Sequence, residues 1–131
     1  MIIDTSAFLA IAMGEDRARD LAERIVRAAE PRLPVHCRLE AHIVVTARKG
    51  PAAREILTAL AKALDLSGMD LTDAHAAAAC AAYDRFGKGR HPAGLNFGDC
   101  LSYGVAKVEG QPLLFVGEDF AKTDIVAAGQ G

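Results

Sequence analysis

The sequence has no tryptophan, and two tyrosines with five phenylalanines leave aromatics at 5% of its 131 residues. A core organised around large ring anchors is therefore excluded, and small and aliphatic side chains have to fill it. Cysteine is scarce too. Cys37, Cys80 and Cys100 are odd in number, far apart and free of any C-x-x-C pairing. That argues against a disulfide framework and fits reduced thiols serving as small core residues. No apolar run approaches the roughly 20 residues that span a bilayer. The opening Met1-Ile2-Ile3-Asp4 puts a carboxylate where a secretory leader carries basic and then long apolar segments. The expected compartment is the cytoplasm, with no membrane association. An excess of one charge is missing as well, since 15 Lys+Arg face 17 Asp+Glu for a net −2. This near-balance excludes an indiscriminate cationic binder of nucleic acid.

What is present is alanine, 26 residues of it, within a composition that is 51% hydrophobic. That hydrophobicity excludes intrinsic disorder, and small side chains let helices approach closely. The length fits one domain, expected over residues 1–131. Ile2-Ile3 reads as a short strand stopped by Asp4-Thr5-Ser6, where Asp or Ser/Thr can cap a helix over Ala7 to Met13. A second helix is expected from Asp16 to Ala29 and a short extended segment at Leu33-Pro34-Val35. Cys37 to Lys49 follows as a helix, with Leu39, Ile43 and Ala47 four apart and Gly50-Pro51 as its stop. Ala52 to Leu64 carries an apolar stripe of Ile56, Leu57, Leu60, Ala61 and Leu64. Asp65 to Asp70 has room for one strand, and Thr72-Asp73 opens an alanine-rich helix to Phe86. After a loop at Gly87 to Gly94, Asn96 to Glu109 forms a helix with Phe97, Leu101, Val105 and Val108 on one face. Leu113 to Val116 is the strongest strand, and Ile125-Val126-Ala127 a last apolar piece. Strands alternating with helices in this way predict an α/β fold, with a central, mostly parallel sheet flanked by helices on both faces.

In an open parallel sheet, ligands bind beyond the carboxyl ends of the strands. Acidic residues from separate stretches gather at such element ends. Asp4 closes the first strand, Glu40 sits in the first turn expected of the Cys37 helix, and Asp99 sits in the first turn of the Asn96 helix. Glu118 and Asp119 directly follow the Leu113–Val116 strand. Each has a plain structural use: Asp4 as an N-cap, Asn96 with Asp99 as a capping box, Glu40 as an offset to a helix dipole, and Glu118 or Asp119 as a solvated turn. Four carboxylates in one pocket, however, raise each other's pKa and call for a cation. A hard divalent ion such as Mg²⁺ or Mn²⁺ prefers those oxygen ligands.

Met1-Ile2-Ile3-Asp4-Thr5-Ser6-Ala7, then Leu39-Glu40, then Gly94-Leu95-Asn96-Phe97-Gly98-Asp99-Cys100, and finally Pro112 to Phe120 with Thr123-Asp124-Ile125 resemble the PIN-domain toxins of the VapC kind. The resemblance runs in order and spacing over essentially the whole chain. It implies a small Mg²⁺- or Mn²⁺-dependent endoribonuclease, the toxin half of a type II toxin–antitoxin pair. It also implies a homodimer, with a VapB-type antitoxin whose tail blocks the active-site groove. By position it implies that Asp4, Glu40 and Asp99 form the acidic site. Asp119 is favoured as a fourth member over Glu118 and Asp124. Ser6 or Thr5 would supply the supporting hydroxyl, and Asn96 would orient the site. Asp4 and Asp99 would hold the metal, while Glu40 and Asp119 would position water or a second ion. His36-Cys37-Arg38 departs from the small polar or apolar residues that the family usually places ahead of the Glu.

Contacts to an RNA backbone have to come from local cations. The acid-free stretch Arg85 to Gly98, with Arg85, Lys88, Arg90 and His91, is the leading candidate, against a plain solvated loop. Arg48-Lys49 is a weaker patch. Other readings remain. His36, Cys37, Glu40 and His42 suggest zinc, but His42 falls on another helix face and nothing completes a tetrahedral set. Cys37 or Cys100 as a nucleophile needs a neighbouring His. A helical interaction module would use the acids only as caps, and a metal-dependent nuclease acting on DNA would use the same acidic site.

Overall fold

In the computed structural model, residues 1–128 are described, so residues 129–131 of the expected domain lie outside the described residues. The chain runs β1 (Ile2–Ile3), α1 (Thr5–Ala12), α2 (Ala18–Arg27), β2 (Arg32–Pro34), α3 (Val35–Lys49), a 3₁₀ turn (Pro51–Ala53) and α4 (Arg54–Ala63). It continues through β3 (Ser67–Met69), α5 (Asp73–Phe86), α6 (Phe97–Glu109), β4 (Leu113–Leu114) and a second 3₁₀ turn (Phe120–Lys122). The expected element order therefore holds. The final apolar piece contributes a single parallel bridge, Leu113 to Ala127.

The four strands form one parallel sheet in the order β3-β2-β1-β4. Ile2 pairs with Leu113 and Ile3 with Leu114, and alternation along a strand sends each pair to an opposite face. Ile2, Leu113 and Met69 join α5 and α6 in one core cluster. Ile3, Leu33 and Leu114 join α1 to α4 in a second. Both faces of the sheet are covered, so even two-residue strands are wholly apolar. Burying each such Ile or Leu stabilises the fold by roughly 1.5–3 kcal/mol.

Local sequence explains the helix boundaries. Thr72 caps α5 through the His75 amide at 3.2 Å, and His75 Nδ1 accepts from the Thr72 N–H at 3.0 Å. Gly104 lets α6 lie against α5, since a Cβ there would stand 2.7 Å from the His75 carbonyl oxygen and 2.8 Å from the Ala79 nitrogen. Pro34 serves as N-cap of α3, so that helix begins at Val35 rather than Cys37, and Glu40 lies in its second turn.

Two expected apolar faces point elsewhere. Leu39 and Ile43 are 59% and 56% exposed, while Cys37, Ala41 and Val45 form the buried stripe of α3. Both sets repeat every four residues. Cys37, Ala41 and Val45 are the set that packs with α1, α2 and α4. Phe97 is 84% exposed although Val105, on the same expected face, is fully buried. As the first residue of α6, Phe97 lies beyond the edge of the layer that its helix covers.

Candidate active site

Parallel strands deliver their carboxyl ends to one edge of the sheet, and the helices that follow start there. Asp4 leaves β1 at this edge and caps α1. It is only 3% exposed. Its Oδ2 accepts from the Ser6 N–H at 3.0 Å and from the Ser6 hydroxyl at 2.6 Å. The Ser6 oxygen in turn accepts from the Val116 N–H at 3.0 Å, which straps the end of β4 to the Asp4 carboxylate. Oδ1 of Asp4 is not engaged by these bonds.

Glu40 arrives from α3. Its Oε1 accepts from the Thr5 hydroxyl at 2.8 Å, so consecutive residues Thr5 and Ser6 each hold a different acid. Its carboxylate lies against Gly98, where a Cβ would come within 2.4 Å of Oε1. Burial raises the Glu40 carboxyl above its ordinary value, and the charge of Asp4 adds to this, while the Thr5 bond opposes it.

Asp99 is the third residue of α6, inside the capping box that its sequence suggests. Its N–H donates to Asn96 Oδ1 at 2.9 Å, and its Oδ2 accepts from the Asn96 N–H at 3.1 Å. The structural and the functional uses of this residue therefore coexist. The Asp99 carboxyl is pushed up to about 6, chiefly by burial and further by the charges of Asp4, Asp119 and Glu40, against the bond from Asn96. The other three acids of the expected site thus all act on Asp99.

The alternatives to Asp119 lie elsewhere. Asp124 is held by the Tyr103 hydroxyl, by Lys107 at 3.0 Å and by Arg85 at 3.2 Å. The Tyr103 bond, with help from these cations, keeps its carboxyl below the usual range. Glu118 lines a separate hollow with Arg17 and Arg24.

Among the described residues, no three His, Cys, Asp or Glu side chains form a ready-made metal cage. The set weighed and set aside for zinc does not converge. His36 is turned inward to Ser102 at 2.9 Å, whereas His42 lines an outer groove between α3 and α4. The Cys37 thiol is pushed up to about 12 by burial and by Asp4, which disfavours the thiolate needed for ligation or attack. The acid cluster does suit a hard divalent cation. Its donors are all carboxylate oxygens, and burial with mutual repulsion has raised two of them, which a cation would relieve.

The basic candidates differ among themselves. Arg85 is paired with Asp124 and lies 4.6 Å over the Phe86 ring. Arg90 donates to the Asp84 carbonyl at 3.2 Å. Lys88 lines an apolar hollow of about 720 Å³ with Tyr83, Leu95, Asn96, Phe97 and Leu101. Sequence reasoning missed three contributors: Gly98 against Glu40, the Val116 amide on Ser6, and Ser102 on His36. A glycine at the second position of a capped helix was the one signal available, because it weakens the helix unless something packs closely there.

A parallel sheet in the order β3-β2-β1-β4, with helices on both faces and acids near the carboxyl ends of its strands, defines a small α/β domain with an acidic edge. A model of the PIN domain matches residues 1–126. Over 126 residues the chain is 46% identical to ribonuclease VapC36 of Mycobacterium tuberculosis, covering 95% of this chain and 91% of that one. Over 130 residues it is 49% identical to ribonuclease VapC30 of the same organism, covering 95% of each. A ribonuclease VapC of Mycolicibacterium smegmatis is 46% identical, covering 97% of this chain and 98% of that one. The chain belongs to the PIN-domain family and, within it, to the VapC ribonucleases. The crystal structure of Mycobacterium tuberculosis VapC20, a toxin that cleaves the sarcin–ricin loop, superposes with a TM-score of 0.76 at 18% identity over 95% of both chains. That likeness is one of fold.

Proposed function

We propose that this chain is the toxin of a type II toxin–antitoxin pair, an endoribonuclease that hydrolyses RNA phosphodiester bonds with Mg²⁺ or Mn²⁺. Residues 1–131 act as one catalytic domain. The observation that carries the reading is the gathering of acids at one edge: Ser6 holds Asp4, Thr5 holds Glu40, and the Glu40 carboxylate lies against Gly98 beside Asp99. A cap alone has no use for further acids around it.

Asp4 and Asp99 present carboxylate oxygens to the metal. When bound, such an ion lowers the pKa of water and neutralises charge on phosphate oxygens. Asp4 is oriented by Ser6, and Asp99 by the Asn96 backbone. Glu40, held by Thr5, positions the attacking water, and Asp119 borders the same space from the end of β4. Because Glu40 is raised above an ordinary carboxylate, it is better matched to receiving a proton near neutral pH. Lys88, Arg90 and the exposed part of Arg85 contact the RNA backbone. No helix among the described residues is long and apolar enough to cross a membrane. The protein works in the cytoplasm as a homodimer, and a VapB-type antitoxin silences it by covering the groove.

Incubation of the purified protein with RNA and Mn²⁺, with EDTA and an equivalent DNA strand as controls, tests this. Cleavage of RNA that EDTA stops and that Asp99→Asn abolishes in a folded protein is the expected result. Full cleavage in EDTA, or an undiminished Asp99→Asn enzyme, would overturn it. Preference for DNA would move the substrate assignment.

A further inference from the structure

Beneath the carboxylates lies a buried polar layer that the proposed chemistry does not use. His36 is 8% exposed and Ser102 fully buried. His36 Nε2 stands 2.9 Å from Ser102 Oγ, and the Cys37 sulfur is 3.3 Å from the same nitrogen and 3.4 Å from the hydroxyl. His36 Nδ1 is buried without a hydrogen-bond partner. An unpaired buried nitrogen is costly to keep, and a Leu would fill the same space without that cost. Burial holds the imidazole below its ordinary value, with Asp4 and the Gly98 backbone pulling the other way. The ring meets α6 through Ser102.

Its position on the helix matters. His36 and Glu40 are four residues apart on α3, so they lie one above the other on one face. Both meet the start of α6: Glu40 touches Gly98, and His36 touches Ser102, one turn further along. α3 and α6 are thus joined by two rungs, and Asp99 lies between them in sequence. We propose that His36, through its contact with Ser102, is a positioning residue that sets the spacing between Glu40 on α3 and Asp99 on α6. It touches neither substrate nor metal in this role. An apolar side chain would preserve the packing but leave the two helix ends free to slide along each other.

This rests on the acidic site proposed above, and the test separates the two. His36→Leu, His36→Gln, Ser102→Ala and the His36→Leu/Ser102→Ala double variant are measured for kcat and KM on an RNA oligonucleotide. Mn²⁺ affinity by titration and thermal unfolding are measured alongside. Loss of such supporting contacts costs about 10–100-fold in metal affinity or activity. His36→Leu is expected to lose that much in kcat and in Mn²⁺ affinity, with KM little changed. His36→Gln, whose amide replaces the ring nitrogen facing Ser102, should recover most of the loss. The double variant should be no worse than His36→Leu alone, since both changes remove the same rung. If His36→Leu does not fold, Ser102→Ala decides by the same readouts. Unchanged kcat and Mn²⁺ affinity per folded molecule, no rescue by glutamine, or additive losses would each overturn the proposal. A wild-type protein that binds Mn²⁺ but cuts no RNA would instead overturn the functional reading, and the Mn²⁺ series would still test the positioning role.

Discussion

Gly98→Ala separates catalysis from stability. The new Cβ would meet Glu40 Oε1 at 2.4 Å and its Cδ and Oε2 at 2.7 Å, whereas ordinary contact begins at 3.4 Å. The carboxylate therefore has to retreat by about 1 Å. It is the free end of a flexible side chain, so the backbone of α6 need not move. The retreat pulls Oε1 away from the Thr5 hydroxyl, now at 2.8 Å. A hydrogen bond to a charged group contributes about 1.5–3 kcal/mol. Replacing glycine by alanine in a helix returns up to about 1 kcal/mol. The net cost is about 1 kcal/mol, a fall in Tm of some 3–5 °C for a chain of this size. Displacing a catalytic group by about 1 Å costs on the order of 100-fold in rate. Circular dichroism melting beside a fluorogenic RNA cleavage assay in Mn²⁺ reads both quantities. Adding Glu40→Gln to Gly98→Ala should bring little further loss. Activity near wild type at the expected Tm would refute the placement of Glu40 in the chemistry. A collapse in stability of several kcal/mol would refute the described fit of Gly98 against a movable carboxylate.

Three further outcomes follow from the same geometry. Because the folded Asp99 carboxyl titrates at about 6 instead of 3.8, the folded chain binds the extra proton between those values. The Asp99 contribution to metal-free stability should be full below about pH 4 and be lost as pH rises through about 6; the difference between wild-type and Asp99→Asn melting curves should change across that window. Mn²⁺ competes with the same proton, so its apparent affinity should weaken as pH drops below about 6, which a titration series detects. Lys88→Ala should weaken RNA binding evenly across sequences and lower the salt slope by about 0.7. In fluorescence anisotropy without metal, Arg85→Ala should do less, because its guanidinium already pairs with Asp124.

Legibility in this chain follows the range of the interaction. Asp4 before a helix, Asn96 with Asp99 three residues on, and Gly50-Pro51 after a helix are signals completed within a few residues, and the elements they mark appear where expected. The places of Asp4 and Asp99 at helix starts were legible for the same reason, whereas Glu40 falls in the second turn of α3. The contacts around these acids were not, because Ser6 meets Val116 across 110 positions and Thr5 meets Glu40 across 35. Only the strand order can bring those together.

The scarcity of aromatics and the wealth of alanine pointed by themselves to closely packed helices, and the alternation of short apolar strands with helices pointed to a sheet covered on both faces. They did not determine which stripe of α3 turns inward. Leu39, Ile43 and Ala47 have the same spacing as Cys37, Ala41 and Val45, and periodicity cannot rank two equal periods. The inner stripe is the one that packs with α1, α2 and α4 in one buried cluster. Tertiary structure also gave Asp124 to Lys107 and Arg85. It turned Phe97 outward and placed His36 against Ser102, 66 positions away. Local propensity acts along the chain. Which side chains then share a pocket is decided by how parallel strands bring distant helix ends to one edge.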